Sequence, residues 1–76
     1  MVFTTFHDSI IRNWNCAHTM ACNAYRNRDL KTVIAVVEAL TIRAGFFDNG
    51  ERQAAVEKEL ELCIETRNVL AVELAT

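Results

Sequence analysis

Val33-Ile34-Ala35-Val36-Val37-Glu38-Ala39-Leu40-Thr41-Ile42 decides how this chain folds. Its β-branched residues would suit a buried strand. The run is long for a strand, however, and it lies between segments with helical spacing. A lone strand would also have no partner in this sequence. The stretch therefore predicts a helix from about Leu30 to Ala44, with Asp29 as N-cap, Arg43 in the last turn and Gly45 just past the end. That helix has no polar face. Glu38 is its one charge between Val33 and Ile42. A helix that is apolar all round must be covered all round.

The flanking segments supply two further helices. From about Thr4 to Arg26, the residues Phe6, Ile10, Trp14, Ala17, Ala21 and Ala24 recur at steps of three and four, which is one face of a helix. Thr4 or Thr5 can cap its start. The three alanines leave room for another helix to approach closely. Asn27-Arg28-Asp29 forms the first break, with Asn27 suited to a left-handed C-terminal cap. Phe46-Phe47-Asp48-Asn49-Gly50 forms the second, with Asp48 and Glu51 as a capping pair. The third helix is expected from about Gly50 to Leu74. Val56, Leu60, Cys63, Arg67, Leu70 and Leu74 make its apolar seam, and Ala55, Leu62 and Val69 a second stripe.

These readings give an all-α fold: one domain over residues 1–76, with three helices at about 4–26, 30–44 and 50–74 in a small antiparallel bundle. At about 1.5 Å per residue the outer helices would span roughly 35 Å and the middle one roughly 22 Å. The short middle helix cannot then be covered on every side by its own chain. A homodimer is the simplest solution, with Trp14, Val33, Val36, Val37 and Leu40 as its core. A chain of this size buries only roughly 60% of its unfolded surface, which also favours association.

Composition narrows the function classes. The hydrophobic fraction is 51% and proline is absent, so the chain is not disordered. Three cysteines cannot complete an internal disulfide set. No basic stretch followed by an apolar run opens the chain, so a cytoplasmic setting is expected. The apolar run falls short of the roughly 20 residues a bilayer requires. The net charge is −2 but uneven. Residues 1–31 carry Arg12, Arg26, Arg28 and Lys31 against Asp8 and Asp29. The acids concentrate further on, notably in the i,i+4 row Glu57, Glu61 and Glu65. That is not the basic footprint of a nucleic-acid binder.

Chemistry-bearing motifs are sparse. His18 and Cys22 share a helix face, and His7 or Cys63 could add a metal ligand. The set lacks a Cys-x-x-Cys pair, and buried cysteine is most often a small hydrophobe. Cys16 has Arg12 one turn earlier but no evident base or oxyanion donor. Gly45 and Gly50 stand too far apart for a phosphate loop. The expectation is a non-enzymatic module that binds a partner protein, without a cofactor. It could be an adaptor, a regulator or an inhibitor of the kind made by viruses and mobile elements, the last on size and lack of chemistry alone. Candidate contact residues are Phe46 and Phe47 in the second break, the basic corner Arg26, Arg28 and Lys31, and the row Glu57, Glu61 and Glu65. Two rival readings are a nucleic-acid-associated regulator using residues 26–31 and a small metal-binding helical protein.

Overall fold

A computed structural model describes residues 5–45 and 50–76. Among them there are four α-helices and no strand: α1 (Thr5–Arg12), α2 (Ala17–Arg26), α3 (Leu30–Ala44) and α4 (Gly50–Ala75), with a 3-10 turn at Trp14–Cys16 between the first two. The all-α expectation holds. The single helix over 4–26 does not, because it is broken in the middle.

Asparagine chemistry explains the break. The backbone N–H of Asn13 still donates to the Ser9 carbonyl at 2.9 Å, and its side-chain amide donates to the same oxygen at 3.1 Å. Asn13 itself leaves helical geometry, at φ −118° and ψ 45°. Its carbonyl then accepts from Cys16 in the tighter 3-10 pattern. Short polar side chains favour such departures because they offer the backbone alternative partners.

The break changes how α3 is covered. α1 and α2 both pack on α3, and α4 packs on it as well. Val33, Val36, Ala39 and Leu40 are completely buried and Val37 nearly so. Ile10, Ala17 and Ala21 meet Val36, Val37, Leu40 and Cys63 in the main core, with Trp14 half-buried at its edge. Ala24, Val33 and Leu70 form a second, smaller cluster. The chain therefore covers its own apolar helix, and the sequence argument for a dimer through α3 loses its premise. Ile34, at 39% exposure, is the large apolar side chain that α3 leaves outside.

The turn from α2 to α3 is a Schellman motif. The Arg28 N–H donates to the Tyr25 carbonyl at 3.0 Å and the Asp29 N–H to the Ala24 carbonyl at 2.9 Å. The left-handed position is Arg28, at φ 56°, and not Asn27 as expected. Asp29 is the N-cap of α3, as expected, and its carboxylate accepts from the Thr32 N–H at 3.2 Å. Gly45 ends α3 at φ −79°, so its place there needs no left-handed backbone. The Gln53 amide donates to the Ala44 carbonyl at 2.8 Å and so closes the C-terminal end of α3 from α4. Phe46, Phe47 and the Asp48 cap lie outside the described residues.

Along α4, Val56, Cys63 and Leu70 are completely buried at heptad spacing. Leu74 is 48% exposed, so the seam ends a turn earlier than its spacing suggests. Arg67 stays in the half-buried zone and donates from Nε and Nη2 to the Asn68 side-chain oxygen. No described helix is long and apolar enough to cross a membrane.

Candidate functional site

Helices α2 and α4 leave a groove of about 440 Å³ between them. His18, Cys22 and Arg26 line one wall, one turn apart along α2, and Leu62, Glu65 and Val69 line the other from α4. The lining is mostly apolar, with Arg26 and Glu65 as opposite charges on opposite walls. Val69 is 43% exposed and Val72, one turn further along the same face, is 65% exposed. All residues from Ala71 to Thr76 are exposed.

One end of the groove is fixed by a clamp that the sequence reading missed. The Tyr25 hydroxyl donates to Glu73 Oε2 at 2.6 Å, and Arg28 forms an ion pair with Glu73 Oε1. The Arg28 guanidinium also lies over the Tyr25 ring, 5.4 Å from its centre. The hydrogen bond from Tyr25, followed by that from Arg28, lowers the Glu73 pKa. The carboxylate in turn raises the Tyr25 pKa, because its hydrogen bond holds the phenol in the protonated form. Arg28, the left-handed residue just past α2, follows Tyr25 by three positions. A signal was present in the sequence: Arg28 and Glu73 are opposite charges near the ends of the two apolar faces that pack together. Nothing in the spacing linked them.

A second tertiary contact sits at the start of α2. Its His18 N–H belongs to the first turn, where no intrahelical acceptor exists. Glu59 Oε1 of α4 accepts from it at 3.3 Å. The acid also faces the positive end of the helix dipole.

The other predicted site residues are spread out. Arg26 lines the groove and Arg28 belongs to the clamp. Lys31 is exposed in the first turn of α3. The basic corner is thus divided among three settings, and Glu73 answers one of its charges. Glu57 and Glu61 are exposed on α4, and Glu65 alone of that row reaches the groove. Trp14 is half-buried, and Val33, Val36, Val37 and Leu40 are core residues of the single chain.

The cysteines differ sharply. Cys22 Sγ and His18 Nε2 lie 3.4 Å apart in the groove. Cys63 is completely buried, and burial, reinforced by Glu59 and Cys22, pushes its thiol up to about 12. Cys16 is exposed, and none of the three is in a disulfide. Among the described residues, no group of three or more His, Cys, Asp or Glu side chains is placed to hold a metal ion. No protein-family model, curated protein or solved structure matches the chain.

Proposed function

We propose that this chain works through protein–protein contact, as a non-catalytic interaction module. The face formed by the α2–α4 groove and the outer side of α4 is its contact surface, and a second copy of the chain is its occupant. The observation that carries this reading is the exposure of Val69 and Val72 beside an apolar groove. Contiguous exposed apolar surface of this kind favours association. A two-fold interface must be self-complementary. This face has an apolar centre at Leu62, Val69 and Val72, with Arg26 and Glu65 on its two walls. Across a two-fold axis, Arg26 of each copy can meet the partner's acidic wall. The dimer proposed here uses α4, in place of the α3 interface expected from the sequence.

A regulator or inhibitor of another protein would offer the same face to its target. Free thiols suit a reducing compartment such as the cytoplasm. Sedimentation and light scattering over a micromolar range test the reading. We expect association towards twice the 8.6 kDa chain mass. It should be abolished by the double change Val69→Asp with Val72→Asp, at unchanged helicity. A chain that stays monomeric throughout would overturn the self-association.

A further inference from the structure

A second cleft, of about 570 Å³, lies between α1, the 3-10 turn, the end of α3 and the start of α4. Arg12, Arg43 and Arg52 line it, one from each helix, together with Ile11, Trp14 and Asn15. Arg43 and Arg52 lie nine residues apart across the α3–α4 connection, and folding brings Arg12, 31 residues before Arg43, to join them. Arg12 is bonded to Asp8 one turn earlier at 3.3 Å, in an exposed pair that is worth little in water. The cleft is distinct from the groove. Arg52 and Val69 lie 17 residues apart on α4, or roughly 25 Å at the helical rise.

We infer that this cleft binds a nucleoside phosphate, with the base against Trp14 and the phosphates held by Arg12, Arg43 and Arg52. Three guanidinium groups around one concavity supply cationic N–H donors to an anion, with Asp8 beside Arg12. Each group is a rigid fork that matches two phosphate oxygens. Each also carries five N–H donors, so it can take an anion alongside the partners it already has. The aromatic wall separates this ligand from a bare anion. Trp14 is half-buried, so its ring is held in place while part of its surface faces solvent. A flat base can stack on that surface. Asn15 adds an amide that can both donate and accept at a base edge. The volume lies within the roughly 300–1,000 Å³ typical of small-ligand sites. The inference is independent of what covers the α2–α4 face.

Trp14 is the only tryptophan, so the tryptophan emission of the chain comes from the wall of this cleft. The full chain would be titrated in low-salt buffer with ADP, adenosine and pyrophosphate, with calorimetry in parallel. ADP should bind and quench the emission. Adenosine and pyrophosphate should each bind at least about tenfold more weakly, because each lacks one half of the contacts. Arg43→Gln and Arg52→Gln should each weaken ADP by about tenfold or more, while Lys31→Gln should leave it unchanged. Circular dichroism checks that the variants fold, and the exposed Arg52→Glu stands in if Arg43→Gln does not. Absence of quenching and heat at millimolar ADP would overturn the inference. So would equal loss in Lys31→Gln, or pyrophosphate binding as tightly as ADP. A single-stranded oligonucleotide binding far more tightly than ADP would overturn the small-molecule assignment.

Discussion

His7 Nε2 lies 3.2 Å from Glu38 Oε1, so the one charge in the apolar stretch of α3 meets a buried histidine of α1. Nothing in the spacing of the sequence singled out a partner for Glu38. The partner sits in the first turn of α1, 31 residues before Glu38 in the chain. The pair answers a polar group on each side of a packed interface, where an unanswered one is costly.

Glu38→Ala removes this acceptor from His7, which is only 7% exposed. A loss of about 1 kcal/mol is expected, at the low end for a buried hydrogen bond because the Glu38 side chain is itself 45% exposed. Glu38→Gln keeps an oxygen in place and should cost less. Urea unfolding of the two variants measures this. Equal stability of Glu38→Ala and the native chain would show that the contact contributes nothing.

The helix face Phe6, Ile10, Trp14, Ala17, Ala21, Ala24 was legible, and so was the burial of Val33, Val36, Val37 and Leu40. The break inside that face was not. A 3-10 turn keeps nearly the same residue spacing as an α-helix, so three- and four-residue steps continue through Asn13–Cys16 undisturbed. Periodicity therefore could not separate one long helix from two short ones. Only the asparagines flanking Trp14 hinted at it. That single omission produced the inference that α3 needs a second copy. At the groove, Arg26 and Glu65 were singled out from the sequence. Tyr25 and Glu73 were not, because their pairing depends on where two helices cross, which no local pattern encodes.

The Tyr25–Glu73–Arg28 clamp and the Asp29 cap predict stability that weakens at both ends of the pH range. Glu73 and Asp29 have lowered pKa values, Glu73 through hydrogen bonds from Tyr25 and then Arg28, and Asp29 through those from the Thr32 hydroxyl and N–H. Their contribution is complete above the ordinary carboxylate value of about 4. It is lost as pH falls through the lower folded values. Tyr25 is raised, so its contribution is complete below its ordinary value of about 10 and is lost as pH rises through the folded one. Tyr25 is the only tyrosine, so its ultraviolet titration is unambiguous. Glu73→Gln should move that titration to lower pH and flatten the acid limb of the thermal stability profile. An unmoved midpoint would mean that the hydrogen bond does not form in solution.

The three thiols should report three depths of the fold. A thiol reacts as the thiolate and only where a reagent can reach it. Cys16 is exposed, Cys22 is half-buried beside His18, and Cys63 is buried with its thiol raised to about 12. A disulfide reagent at neutral pH should label Cys16 first and Cys22 more slowly. Cys63 should react only as the chain unfolds, so denaturant is expected to release it. Peptide mapping by mass spectrometry distinguishes the sites, and early labelling of Cys63 would contradict its place between α2, α3 and α4.

Substitutions on α3 should separate a helix covered by its own chain from one covered by a partner. Leu40 is completely buried, and Leu40→Ala should cost about 2–5 kcal/mol. A domain of 76 residues is stable by only roughly 4–11 kcal/mol, so much of the fold is lost with that one side chain. Val37→Asp should be worse, since Val37 is 5% exposed and the carboxylate would be buried without a designed partner. Ile34→Asp, at a site 39% exposed, should fold with a similar melting temperature and leave the association state unchanged. If Ile34→Asp abolished association while Val69→Asp with Val72→Asp did not, the contact surface would lie on α3. Thermal melts and light scattering on these variants decide between the two faces. The packing of α1, α2 and α4 around Val36, Val37 and Leu40 places the expected loss of folding on α3 and the expected loss of association on α4.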